Sequence, residues 1–557
     1  MLKRRTPTPS ELPIPTAAVA AGLFLLSLTV SLCCYRVFFT GGVTFEFCHY
    51  AEIARNLLTG HGFATATWYP MYQAQFDAVG RSVADLAPVL DRFPLQVAWV
   101  ALFEAVFGAK DLAVVLAQAT AHALWCVAIF LLGRGWFSGR VALLAALLWS
   151  VNPMLGAGFV LHGYADVLFG LVFFCLNVLF ARRLEGIDED GATTAVPPST
   201  RHWMALGALA GACYLSRYNF VVFVPVYAAV VLRFAGLRRG LRICGAAAAG
   251  YLVLVVPWTA YYFGRSGILA PPLLTQNLAH GVLVNGLPWM EYRVYPLSEF
   301  ATVPALQSLV VKWLTLFFRL LEELPSYWYL TPAWLLAAPW LLAGDRSPAR
   351  RFANLCVLLL SWQAVVFSFL RGESLGYMNG RYYLWFGPVV LLCAVAWLEE
   401  LRARAGTRSA AWVGRIVIAA ILLDYGFRYA IIARGNEHPT GRDVADWPEV
   451  RWIAEHTAPG DLIVTNIPAQ IAWYAHRPAM NFTNEPAGLR PFLAKHTPAY
   501  LFLSATHVGE IDNFPAWRAL LRGDSRGLEA FCAEYGFEVV ETFKGGILLR
   551  SGRSKTP

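Results

Sequence analysis

Charge is what this chain has least of. Only 15% of its 557 residues are Asp, Glu, Lys or Arg, against 57% hydrophobic. Soluble domains carry about 25% charged residues, so an ordinary water-soluble enzyme is excluded and a polytopic membrane protein is expected. There are six lysines and none follows a glycine, which rules out a Walker A phosphate loop. No C-x-x-C pair occurs among the ten cysteines, and most lie inside apolar segments. They read as small buried hydrophobes, with neither a zinc site nor a disulfide framework indicated. The net charge of +9 comes mostly from arginines in short gaps between apolar runs. Such arginines orient a membrane chain and do not point to a nucleic-acid partner. Arg outnumbers Lys 39 to 6, and guanidinium is the better fork for phosphate oxygens.

What is present is a series of apolar runs long enough to cross a bilayer core of roughly 30 Å. They lie near 17–39, 111–132, 141–160, 164–181, 203–217, 218–235, 243–263, 326–343, 352–370, 382–400 and 411–432, about eleven helices. The first follows "MLKRRTPTPS" but is too long for a cleaved signal and lacks a small-residue cleavage site, so it reads as a retained span. Alternate gaps are Arg-rich, among them "LKRR", "GRGWFSGR", "DRSPARR" and "LRARAGTR", and the positive-inside rule places these in the cytoplasm. The N-terminus is then cytoplasmic, while segments 40–110, 264–325 and 371–381 and everything after about 433 face outward. Residues 433–557 alternate short strands ("DLIVTN", "AYLFLS", "FEVVETF", "GILLR") with helical stretches, the pattern of a small extracytoplasmic α/β domain beside a membrane domain of residues 1–432.

Ionisable residues at outer positions of so apolar a chain need a local reason. In "VTFEFCHYAEIARNLLTGHGF", residues 43–63, helical spacing puts Phe47, Tyr50, Ala54, Leu57 and Leu58 on one arc and His49, Glu52, Arg55 and Asn56 on the other. This predicts an interfacial amphipathic helix whose charged arc, Glu52 included, is wetted. Glu46 lies at the seam, among Phe45, Phe47 and Tyr50, the setting of a general base or a cation ligand. Asp166 stands at the outer mouth of the fourth helix, where charge is expensive. Arg217 and Arg381 sit on the side opposite to the one the positive-inside rule prefers, and either phosphate binding or snorkelling to headgroups accounts for them.

With these residues in hand, "EFCHYAE" after the first helix, "ARNLLTGHGF", "RFPLQVAWVALFEAVFG", "LSRYNFVVFVP", "VPWTAYYFGRSG" and "NGRYYLWFGPVV" together resemble the GT-C membrane glycosyltransferases of the protein O-mannosyltransferase and lipid A aminoarabinose transferase type, over about residues 15–400. The resemblance implies a hexosyl- or pentosyltransferase that takes a sugar from a polyprenyl-phosphate carrier, with inversion, and passes it to an extracytoplasmic lipid, glycan or protein at the bacterial inner membrane. It implies Glu46 as base and Asp166 as a second acid. His49, Arg55, Arg217 and Arg381 fall near the phosphate, and Tyr50 and Tyr382 line the pocket. Glu stands where Asp is the common choice, and His49 occupies a basic position it need not fill with charge.

No cofactor is required by this reading. A divalent metal stays possible, since Glu46, His49, His61, Asp166 and His280 could supply ligands, although no spacing is diagnostic. "IDED" at 187–190 reads as a solvated cytoplasmic loop, and "NFT" at 481 as an outer-side glycosylation sequon. Two other classes fit the bulk composition: a transporter or flippase, and a non-catalytic binder of lipid-linked sugar. The acids cluster at outer mouths and no internal repeat is visible, which weighs against the transporter.

Overall fold

A computed structural model describes residues 15–81, 83, 86–188, 199–269, 271–284, 286–323, 337–338, 340–341, 347–370, 381–405, 408–435, 444–505, 511–522 and 525–552. Among them, eight helices are long and apolar enough to cross a membrane: Thr16–Phe38, Asp111–Gly133, Asp166–Glu185, Tyr218–Ala235, Leu237–Ser266, Pro348–Phe369, Arg381–Ala403 and Gly414–Arg434. The chain is a multi-pass membrane protein.

Two expected spans differ, and a third falls outside what is described. The run at 141–160 forms only Gly139–Ser150, because Asn152 and Pro153 stop it: Pro153 has no N–H to give, and the Asn152 side chain accepts the Met154 amide at 2.9 Å. A six-residue π turn, Met154–Phe159, follows. The run at 203–217 is a helix of 17 residues, Thr200–Ser216. The run at 326–343 lies almost wholly outside the described residues, as does most of 371–381 and the end of "IDED".

Thr200–Ser216 (α8) packs along the 30-residue helix Leu237–Ser266 (α10) at backbone distance. A Cβ at Gly207 would fall on the Ala247 carbonyl, and one at Gly250 on the Met204 carbonyl. Neither obstacle is a flexible side chain, so Gly207→Leu is expected to cost at least about 1–3 kcal/mol by forcing the helices apart. A clear drop in the thermal midpoint of the purified protein checks this.

One helix in the outer segment 264–325 was not foreseen. Val303–Glu323 (α12) leaves Leu306, Val310, Leu314 and Phe318 exposed, while Lys312 on its other face donates to the carbonyls of Asn277 and His280, both at 2.8 Å. The apolar arc facing away from protein is the mark of a helix lying against lipid.

The strands expected after residue 433 are present as β4 (Ile463–Thr465), β6 (Tyr500–Ser504), β7 (Phe537–Phe543) and β8 (Gly546–Ser551), with β5 (Ala479–Asn481) in addition. Their sheet has the order β2-β5-β4-β6-β8-β7, parallel up to β6 and antiparallel beyond. Alternation of side chains sends Leu501 and Leu503 to one layer and Phe502 to the other. Asn481, the sequon residue, is buried in β5.

The edge strand β2 (Thr67–Trp68) comes from the first outer segment, paired as Thr67 with Ala479 and Trp68 with Met480. The sheet therefore closes only with residues from both ends of the chain. A second tie is Asp77, which accepts hydrogen bonds from Gln73 at 3.0 Å, from His496 at 2.8 Å and from Tyr292. One carboxylate thus joins the first outer segment, the 264–325 segment and the C-terminal sheet.

Candidate active site

The helix Phe45–Leu58 (α2) begins with Thr44, whose hydroxyl oxygen caps the Phe47 amide at 3.2 Å and whose proton goes to the His162 carbonyl at 2.7 Å. That second bond brings the 159–165 turn onto α2. Gly163 makes the approach possible: its φ is +67°, and a Cβ there would lie 2.9 Å from the Phe47 Cα. The two first-turn acids, Glu46 of α2 and Asp166 of Asp166–Asp188 (α7), are thereby placed side by side. Two arginines reach them from the ends of other elements. Arg217 ends α8 in extended conformation, and Arg381 opens the 3-10 turn Arg381–Phe386.

Arg381 bridges the acids: its Nε donates to Asp166 Oδ2 and its Nη2 to Glu46 Oε2, both at 2.6 Å. Arg217 Nη1 meets the same Asp166 oxygen at 2.6 Å. Asp166 is wholly buried, whereas the Glu46 side chain keeps 20% of its surface accessible. Tyr164 lies beneath Arg381 at 4.2 Å, and Tyr382 lies between Arg217 at 5.1 Å and Arg381 at 5.7 Å. A third guanidinium, Arg92, sits over Phe45 and Tyr50 and pairs with Asp91 at 3.0 Å. Buried donors point into this group without acceptors: Arg92 Nε, Arg217 Nε and the Tyr50 hydroxyl. Unpaired buried donors on cations are costly unless an anion meets them.

The acids part in character. Burial pushes the Glu46 carboxyl up, but Arg381, Arg92 and Arg217 together outweigh it and hold it below the usual range. Burial of Asp91 prevails over its neighbour Arg92, and Glu46 adds repulsion, so that carboxyl is raised. Glu46 is therefore the ionised, reachable carboxylate of the group.

Glu46, Asp166, Tyr50, Arg217, Arg381 and Tyr382 thus come together, whereas His49 and Arg55 turn elsewhere. His49 Nε2 meets Thr65 Oγ1 at 3.0 Å, and burial with Arg92 nearby pushes its pKa well down, leaving a neutral ring. Arg55 donates to the carbonyls of Ala472 and Trp473, at 2.9 and 3.0 Å. The expected wet arc of α2 is corrected by the same contacts: His49, Glu52 and Asn56 are buried because residues 64–68 and the 471–475 turn cover them. Glu52 accepts from Asn56, Thr65 and the Ala66 amide at 2.5, 2.8 and 2.6 Å.

Burial raises Glu52 to about 7 and Glu104, on Pro94–Phe107 (α4), to about 8. An acid whose folded pKa exceeds its unfolded value of about 4.3 binds an extra proton in the folded state across that interval. Stability is therefore expected to fall as pH rises from about 5 to about 7, and Glu52→Gln to flatten this slope. Thermal midpoints of both proteins at several pH values measure it.

Arg92, Asp91 and Tyr164 were missed from sequence. Arg92 could have been found by the criterion that picked out Arg217 and Arg381, a lone outer-side Arg beside apolar sequence. As for a metal, Glu46 and Asp166 face guanidiniums, His61 bonds Thr59 at 3.0 Å and His280 rests on Trp289. Among the described residues no three His, Cys, Asp or Glu side chains gather as a ligand set. The unpartnered donors gathered here are of the kind that meet an anion.

Residues 92–261 match the family described as dolichyl-phosphate-mannose-protein mannosyltransferase. No curated protein sequence matches the chain significantly. Among solved structures it is similar to ArnT from Cupriavidus metallidurans bound to undecaprenyl phosphate, with a TM-score of 0.53 and 15% identity, over 96% of this chain and 97% of that one. The apo form of the same protein gives 0.54 at 15% identity, over 96% and 98%. The Archaeoglobus fulgidus oligosaccharyltransferase in complex with Zn and sulfate gives 0.52 at 14%, over 90% of this chain and 71% of that one. The fold is that of the GT-C membrane glycosyltransferases.

Proposed function

We propose that this GT-C chain is an integral membrane glycosyltransferase that moves a sugar from a polyprenyl-phosphate carrier to an extracytoplasmic acceptor, with inversion. The observation that carries the reading is the convergence of one reachable, ionised carboxylate with three buried guanidiniums at one end of the bundle. The family match and the undecaprenyl phosphate in the similar ArnT structure support the donor class.

In this reading the sugar's anomeric carbon sits beside the accessible face of Glu46, with its phosphate toward the arginines. Glu46 takes the proton from the acceptor hydroxyl or amine as that atom bonds to the anomeric carbon. The carbon–oxygen bond to phosphate breaks, its electron pair stays on the phosphate, and Arg217, Arg381 and Arg92 receive the growing charge. Asp166 holds Arg217 and Arg381 in place, and Tyr164 and Tyr382 pack against their planes. No cofactor is called on, because the guanidiniums supply the positive charge.

Arg134, Arg140, Arg182 and Arg350 lie at the far end of the bundle, with Arg140 paired to Glu399 and Arg350 to Glu400 at 3.2 and 3.6 Å. By the positive-inside rule that end is cytoplasmic. The site and the C-terminal sheet are then extracytoplasmic, at the bacterial inner membrane. Purified protein given a panel of radiolabelled polyprenyl-phosphate sugars and membrane extract is expected to label one acceptor class, lipid, glycan or protein. Donor binding without transfer from any of them would sink the enzyme reading.

A further inference from the structure

Away from the Glu46 cluster, the last turn of Thr16–Phe38 (α1), the end of α2, the start of Asp111–Gly133 (α5) and the turn at 473–476 enclose a surface-open cavity of about 460 Å3. Its lining includes Tyr35, Arg55, Lys110, Asp111, Trp473 and His476. Because α1 ends and α5 begins beside it, the cavity lies where two spans leave the hydrocarbon, with Tyr35 and Trp473 at the level favoured by aromatic belts.

The lining carries two positive charges, Arg55 and Lys110, against the one carboxylate of Asp111, with Glu52 and Glu104 also attracting Arg55. Arg55 spends its Nη groups on carbonyl oxygens and on His476 Nδ1 at 2.7 Å, which use its hydrogens but leave its charge. Among the described residues neither Arg55 nor Lys110 has a carboxylate at ion-pair distance. The acid on the wall, Asp111, accepts from the Trp473 indole N–H and the Tyr474 hydroxyl, each at 2.8 Å, bonds that fix its direction and leave its negative charge, so the lining is positive by one charge. His476 has the only positive φ of a non-glycine among the described residues, at 55°. With Nδ1 accepting from Arg55, the neutral ring keeps its proton on Nε2 as a further donor. Leu112, also on the lining, is exposed.

We infer that this cavity seats the phosphate of an anionic lipid, with Lys110, Arg55 and His476 around the phosphate and the lipid chains running down past Leu112 and α1. The seat is separate from the glycosyl-transfer cluster and does not depend on that reading, only on the chain's place in a membrane. The phosphate could belong to a bilayer phospholipid or to a lipid phosphate that takes part in the reaction.

Native mass spectrometry of the full-length protein in detergent, titrated with phosphatidylglycerol, phosphatidylcholine and a polyprenyl phosphate, tests it. Phosphatidylglycerol is expected to be retained over zwitterionic phosphatidylcholine. Lys110→Gln should weaken that retention about fivefold, the worth of one basic residue near an anionic lipid, and Lys110→Arg should restore it. Arg217→Gln, at the other site, should leave it unchanged. If polyprenyl phosphate shows the same sensitivity to Lys110→Gln at lower concentration, the seat serves a reactant; if only phosphatidylglycerol does, it serves a bilayer lipid. Equal retention of phosphatidylcholine, or no response of any anionic lipid to Lys110→Gln, overturns the inference.

Discussion

Glu46→Gln is expected to slow sugar transfer by about 10²–10⁴-fold, the usual worth of a positioned general base, while donor binding is held or slightly tightened. The asymmetry follows from geometry. Glu46 shares Arg381 with Asp166, so losing the Glu46 charge leaves Arg381 more positive toward a phosphate while removing the proton acceptor. A KM that stays level or falls as kcat collapses is the signature. A general loss of positioning would raise KM instead. The pH profile adds a second reading. Because the arginines hold Glu46 below the usual carboxylate range, the wild-type rate should not fall from neutrality until the pH drops below about 4.3. A limb near pH 6 would assign the proton transfer to another group.

Asp166→Asn should show the largest effect on stability. Asp166 is fully buried and is the shared counter-ion of two buried arginines. Removing one partner of a buried ion pair strands the other charge, at a cost of about 3–5 kcal/mol; here Arg217 is stranded, while Arg381 keeps Glu46 as its remaining partner. The purified variant should unfold at a markedly lower temperature, and transfer should fall with it. Adding Arg217→Gln should recover part of the loss, since it removes one stranded cation, and a double-mutant cycle reads this as a large coupling. Purely additive losses would mean that the two residues do not depend on one another.

Sequence alone displayed the membrane class, most spans, the strands after residue 460 and six members of the central cluster. These are features that hydropathy or a misplaced charge makes visible, as Arg217 and Arg381 do by standing at the outer end. What stayed hidden depends on which element covers which. Helical spacing puts His49 and Glu52 on a wetted arc of α2, yet nothing local announces that residues 64–66 and 471–475 cover that arc. The same blindness hid Arg92: its partners Asp91, Tyr50 and Phe45 are near in space, but only the first is near in sequence. The run at 141–160 shows the opposite failure, in which continuous hydropathy concealed a proline that ends the helix at Ser150.

The pairing of Thr67 and Trp68 with Ala479 and Met480 carries a consequence for how the protein is born. Translation proceeds at about 5–20 residues per second, so β2 emerges roughly 20–80 seconds before its partner strand exists. Throughout that interval the segment bearing Glu46 and Arg92 lacks the sheet that will fix it, its strand edge unpaired. A nascent chain halted between residues 381 and 479 would hold all three arginines of the site and still lack the strand that pairs with the Glu46-bearing segment. Completion of the C-terminus is then the event that assembles the site, so truncated products carry its residues without its geometry.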